Sequence, residues 1–131
     1  MPEKKKILFI DDEKDFCFFA KQNLELTGEF EVITANCGEE GINLAREQKP
    51  DLIFLDIVMP KMMGDDAAGV LLSEPETKDI PLVFLTAQVR EVEMGVEAMK
   101  EIGGHLFVAK PVNTAKLINT IKKVLSEKNN G

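Results

Sequence analysis

From end to end the chain alternates between short apolar runs and amphipathic stretches, and this restricts its fold more than any other feature. Lys6-Ile7-Leu8-Phe9-Ile10 is a nearly continuous apolar run, the pattern of a strand buried on both faces. A helical stretch follows from about Lys14 to Thr27 and stops at Gly28, glycine being a common helix terminator. Phe30 to Ala35 alternates less cleanly and suits a more exposed strand, and Gly38 to Gln48 reads as a helix closed by Lys49-Pro50, because the residue before proline avoids the α region. Leu52 to Leu55 is a second continuous apolar strand, and a helix from Asp65 to Ser73 begins at Gly64-Asp65. Ile80 to Leu85 is a strand with Pro81 near its start, where proline does least harm. Glu91 to Ile102 reads as a helix closed by Gly103-Gly104, and His105 to Ala109 as a fifth strand. Asn113 opens a last helix with Leu117, Ile118, Ile121, Val124 and Leu125 on one stripe, and Ser126 to Gly131 are expected to fray.

The repeated strand–helix unit predicts an α/β fold, a doubly wound (βα)5 domain with helices on both faces of a five-stranded parallel sheet. Right-handed crossovers leave few topologies, and the flavodoxin-like strand order 2-1-3-4-5 is the common one at this size. No repeat or Pro/Gly/Ser-rich linker divides the chain, whose 131 residues and 14.6 kDa suit one domain. The expected limits are 5–128, with flexible ends at 1–4 and 129–131.

Sixteen Lys+Arg against 23 Asp+Glu give a net charge of −7. Phosphate backbones and anionic membranes attract basic faces, so neither nucleic acid nor a membrane is an expected direct partner. No apolar run approaches the ~20 residues of a membrane span. Ile7 to Ile10, behind Lys4-Lys5-Lys6, is too short for a signal-peptide core, which points to the cytoplasm. There Cys17 and Cys37 are expected as free thiols. His105, the only histidine, has no ligand neighbour at metal spacing.

In such sheets ligands bind beyond the carboxyl ends of the strands, at the switch point between strands 1 and 3. Strand 1 ends in Asp11-Asp12-Glu13, strand 3 in Asp56, strand 4 in Thr86-Ala87 and strand 5 in Lys110-Pro111. Crowded carboxylates repel unless a cation joins them. Mg²⁺ fits best, since it takes one or two carboxylates together with waters and a phosphate. Lys110 is a point charge on a flexible stem, suited to a phosphoryl oxygen, and the Thr86 hydroxyl can donate to the same group. An acidic residue after a strand is often only a helix cap, but the set as a whole points to phosphoryl chemistry.

Ile10-Asp11-Asp12-Glu13, Leu55-Asp56-Ile57-Val58-Met59-Pro60 with Gly64 after it, Leu85-Thr86-Ala87 and Phe107-Val108-Ala109-Lys110-Pro111-Val112 together resemble the receiver domain of two-component response regulators, in its stand-alone, CheY-like form. The resemblance covers roughly Lys5 to Lys128. It implies that Asp56 is the phosphoacceptor for a histidine kinase or histidine phosphotransfer protein. It implies that Asp12, Asp56 and the Val58 carbonyl bind Mg²⁺ directly and that Asp11 acts through a bound water. Lys110 would pair with a phosphoryl oxygen, aimed inward by a cis Lys110-Pro111 bond. Thr86 would bind another oxygen with the Val58 and Ala87 N–H groups.

The resemblance also implies a switch. Thr86 moves inward and Phe107 rotates into the space left behind. The face formed by the fourth helix, fifth strand and fifth helix (91–102, 105–109 and from 113) then changes for a downstream protein target. Phe107 lacks the hydroxyl of the Tyr often found there. Val58 and Gln88 stand where similar domains control hydrolysis, and Val58 has no side-chain group to hold a water, so a persistent phosphoryl group is expected. The domain is thus expected to be a phosphoacceptor rather than an enzyme, a monomer or weak dimer, with no output domain after Val112.

Three other classes fit the sequence less well, the last of them kept as the alternative. A haloacid-dehalogenase-type phosphohydrolase needs an Asp where Val58 stands. An FMN binder needs a hydroxyl- and Gly-rich loop in place of Asp11-Asp12-Glu13. A phosphorylation-independent receiver-like adaptor needs none of the site residues. On the first helix, Phe16, Phe19, Ala20, Asn23 and Thr27 share one arc at 100° per residue. Phe18 is expected to face away, either leaning on its neighbours or meeting a partner or second copy.

Overall fold

In the computed structural model, which describes residues 4–57, 64–86, 99–102, 105–109 and 113–130, the apolar runs become adjacent strands. The elements run β1 (Lys5–Ile10), α1 (Lys14–Leu26), β2 (Phe30–Ala35), α2 (Gly38–Gln48), β3 (Leu52–Asp56), α3 (Gly64–Ser73), β4 (Leu82–Thr86), β5 (Met99–Ile102), β6 (His105–Ala109) and α4 (Thr114–Asn130). The sheet order is β2-β1-β3-β4-β6-β5. Its first five strands are all parallel and reproduce the expected doubly wound order, with β6 in the place of the fifth strand.

The sixth strand departs from expectation. Met99–Ile102, read from sequence as the end of a helix, pairs antiparallel with β6, Met99 opposite Val108 and Ile102 opposite His105. The ladder to β6 supplies backbone partners that local helix periodicity does not anticipate. The rest of the expected helix, 91–98, lies outside the described residues. At the other end of the chain, α4 extends to Asn130, through the segment expected to fray.

Strand alternation sorts the core into two layers. Ile7, Phe9, Leu52, Phe54, Val83, Leu85, Leu106 and Val108 face α1 and α4. Leu8, Ile10, Ile53, Leu55, Leu82 and Phe84 face α2 and α3. Phe9 and Phe54 stack at 4.7 Å between ring centroids in the first layer. Burial on this scale contributes about 1.5–3 kcal/mol per large side chain.

Helix ends follow local chemistry. After α1, the Gly28 N–H reaches the Glu25 carbonyl at 3.1 Å and the backbone turns at φ 80°, which only glycine adopts freely. After α2, Lys49 takes the left-handed conformation just before Pro50. Within α2, a Cβ at Gly41 would overlap the Ile10 side chain, so this helix lies directly on the end of β1.

The buried face of α1 is Cys17, Ala20 and Leu24, with Phe16 packed beside it. This corrects the sequence arc: Phe19 is exposed along with Phe18 and Leu26. The buried face is centred about 70–80° from the aromatic arc, since small Cys17 and Ala20 allow close approach to the sheet.

β2 forms one margin of the sheet. The Val32 N–H donates to Glu25 Oε2 at 3.0 Å, and Lys21 Nζ donates to the Val32 carbonyl at 2.7 Å. Lys21 and Glu25 are themselves paired at 3.1 Å. The Val32 N–H, then the nearby Lys21, holds the Glu25 carboxyl below its ordinary range. Arg46 of α2 reaches Glu74 beyond α3, with Nε 2.8 Å from Oε1, which lowers the Glu74 carboxyl and raises the guanidinium.

Candidate functional site

The register brings the ends of the strands level. Ile10 lies opposite Leu55, Asp56 opposite Leu85, and Thr86 opposite Ala109. Asp11, one residue past Ile10, therefore stands beside Asp56. Both continue the alternation of Ile7–Phe9 and Leu52–Phe54, which places them on the α1/α4 side of the sheet.

Asp11 is fully buried, Asp56 is 5% exposed and Asp12 is exposed. One carboxylate oxygen from each lies within 4.8 Å of the others. The group is held by its backbone. The Asp11 N–H donates to the Ala35 carbonyl at 2.9 Å, and Asp11 Oδ1 accepts the Glu13 N–H at 2.9 Å. The Ile57 N–H donates to the Leu85 carbonyl at 3.0 Å, extending the ladder just past Asp56. Asp12 does not cap the helix, as the N-cap position of α1 belongs to Glu13.

Three carboxylates this close, two of them withdrawn from water, raise the cost of full ionisation. A cation bound among them offsets it. The donors are all carboxylate oxygens, the preference of a hard ion such as Mg²⁺, and exposed Asp12 leaves a solvent side where Mg²⁺ can keep waters. The residues fit that ion.

The structure thus brings together Asp11, Asp12 and Asp56 as the sequence suggested. Val58, Gln88, Lys110 and Pro111, and the Thr86 side chain, lie outside the described residues. Phe107 is half-buried and stacks on Phe84 across the β4–β6 pair, ring centroids 4.9 Å apart. Sequence reasoning missed Asn36 and the position of Cys17. Asn36 Nδ2 donates to the Asp11 carbonyl at 3.0 Å, and Cys17 Sγ lies 3.4 Å from the same oxygen. Their shared partner is a backbone atom, so no pairing of side-chain types signals the contact; the only sequence cue is an Asn just before a helix start.

A cavity of about 360 Å³ lies at the opposite end of the strands, bordered by Lys4, Lys5, Glu29, Lys122 and Leu125. Phe30 and Ile121 beneath it are already buried by their neighbours, and it shares no residue with the aspartate group.

A family model described as the response regulator receiver domain matches residues 7–122. Protein PilH of Pseudomonas aeruginosa is 34% identical over 121 residues, covering 92% of this chain and 98% of that protein. A probable transcriptional regulator, ycf27 of Guillardia theta, is 35% identical over 126 residues. That match covers 96% of this chain but 47% of the relative, so the chain spans about half the length of such regulators. Among solved structures, the chemotaxis protein CheY4 of Vibrio cholerae has a TM-score of 0.78 at 26% identity over 93% of this chain and 99% of that one. A CheY-like receiver domain from Methanospirillum hungatei scores 0.79 at 25% identity over 98% of each.

Proposed function

The chain belongs to the response-regulator receiver family, a family of regulatory phosphoacceptor domains rather than enzymes, and from that premise we propose that Asp56 is its acceptor residue. The observation that carries this reading is the meeting of Asp11, Asp12 and Asp56 within 4.8 Å at the carboxyl rim. One Asp56 oxygen attacks the phosphorus of a phosphohistidine on a histidine kinase or phosphotransfer protein. An O–P bond forms, the N–P bond breaks, and the imidazole nitrogen leaves with the electron pair. The product is an aspartyl phosphate.

Asp11, Asp12 and Asp56, with the Val58 carbonyl, would hold Mg²⁺. When bound, the ion supplies positive charge to the phosphoryl oxygens during transfer. Lys110 pairs with a phosphoryl oxygen and Thr86 donates a hydrogen bond to another. Burial of Asp11 and Asp56 keeps these interactions strong by excluding water.

The readout runs through Thr86 and Phe107. Phe107 is half-buried against Phe84, and with no hydroxyl to anchor it outward it follows Thr86 inward on phosphorylation. The surface carrying β6, α4 and the segment before them then presents a new shape to a downstream protein. The domain spans 5–128 and works in the cytoplasm; among the described residues no helix is long and apolar enough to cross a membrane. Val58 offers no side-chain group to hold a hydrolytic water, so the phosphoryl group persists well beyond seconds in Mg²⁺ buffer.

Incubation with acetyl phosphate and Mg²⁺, read by intact mass, tests the assignment. A phosphate-sized gain is expected in the wild type and none in Asp56→Asn. No gain in either, with partner binding intact, would leave the phosphorylation-independent adaptor standing instead.

A further inference from the structure

We propose that Asn36, on the loop between β2 and α2, is a positioning residue for the aspartate group. The inference rests on the metal-binding reading above and adds to it a residue outside the carboxylates.

Asp11 stands where the β1 ladder ends and α1 has not begun. Its N–H still reaches the Ala35 carbonyl, but its carbonyl takes its partners from side chains. Asn36 Nδ2 donates to that oxygen at 3.0 Å, and the Cys17 thiol adds a weaker contact at 3.4 Å. Asn36 Nδ2 also lies 3.8 Å from Cys17 Sγ, so the three groups form one closed contact.

That carbonyl belongs to the rigid peptide plane joining Asp11 to Asp12. Rotating the plane swings the Asp12 Cα, and with it the direction of the Asp12 carboxylate, away from Asp11 and Asp56. Asp11 is further constrained by its own bond to the Glu13 N–H. Asp12, exposed on the solvent side, has its Cα placed by this plane.

Asn36 is itself fixed. Its N–H donates to Glu40 Oε1 at 2.9 Å, in the first turn of α2. That helix lies on β1 through the close approach of Gly41 to Ile10. The loop thus carries the packing of α2 to the turn that presents both aspartates. Groups that orient metal ligands commonly matter to affinity about as much as a weak ligand does, 10–100-fold on loss.

Magnesium titration by calorimetry, combined with acetyl phosphate labelling over a series of Mg²⁺ concentrations, tests the role. Asn36→Leu removes the donor at similar size, and Asn36→Ala serves if the larger side chain prevents folding. Both are expected to weaken Mg²⁺ binding about ten-fold and to raise the Mg²⁺ concentration for half-maximal labelling equally. The labelling rate at saturating Mg²⁺ should stay near wild type. Cys17→Ala should shift the same midpoint less.

Thr77→Val, which removes the buried Thr77–Leu71 bond far from the site, controls for lost stability and should leave the Mg²⁺ midpoint unchanged. Wild-type affinity in either folded Asn36 variant, or an equal shift in Thr77→Val, overturns the proposal. A wild type that neither binds Mg²⁺ nor takes up phosphate overturns the metal-site reading along with it.

Discussion

At the carboxyl ends of β1 and β3, Asp11 is fully buried and Asp56 nearly so. At the amino ends, Lys122 and Glu29 meet at 3.6 Å with more than half of each side chain in water. Charge stands at both ends of one sheet, but only one end has taken it out of solvent. In water a pair 4 Å apart interacts by about 1 kcal/mol, and several-fold more in a partly buried site. The amino rim has opposite charges that water already satisfies. The carboxyl rim has like charges brought together by the strand register, a repulsion that a bound cation relieves. Burial, rather than residue type, separates a solvated surface from a site with chemistry.

The largest effect expected from breaking this contrast is at Asp56. Asp56→Asn should lose phosphate uptake completely by intact mass while keeping the circular dichroism of the wild type. Asp12→Asn relieves repulsion without entering the core. In EDTA it should raise the urea-unfolding free energy by less than about 1 kcal/mol, the scale of an exposed charge, and saturating Mg²⁺ should reverse the ranking by favouring the wild type.

Glu25 lies between the two extremes, partly exposed but bonded to Val32 and Lys21. Its folded pKa is lowered, so its stabilisation is present above the ordinary glutamate value and is lost as pH falls through the folded value. Stability measured from neutral pH down to acid should therefore fall less below that ordinary value in Glu25→Gln than in the wild type. The smallest effect belongs to the amino rim. Lys122→Ala should change stability by less than about 1 kcal/mol and leave phosphate uptake unchanged.

The aspartate group was legible in the sequence because each member follows a strand of nearly unbroken apolar residues, and strand register does the rest. Asp11 and Asp56 meet because Ile10 and Leu55 are paired. What stayed hidden depends on non-local contacts. Met99–Ile102 carries a helical pattern, yet it pairs with β6. The rotation of α1 depends on how closely Cys17 and Ala20 seat against the sheet, which the larger aromatics obscured. Asn36 acts on a carbonyl, and every residue has one.

The clasp of Lys21 and Glu25 over Val32 has a consequence for how copies of this chain behave when crowded. A sheet margin with open amide groups is a template on which a neighbour can add a strand and seed fibrils. Here the middle of that margin is already occupied by a neighbouring helix. Intermolecular strand addition along β2 has to displace this ion pair first, so acid that protonates Glu25 both destabilises the fold and uncovers the template.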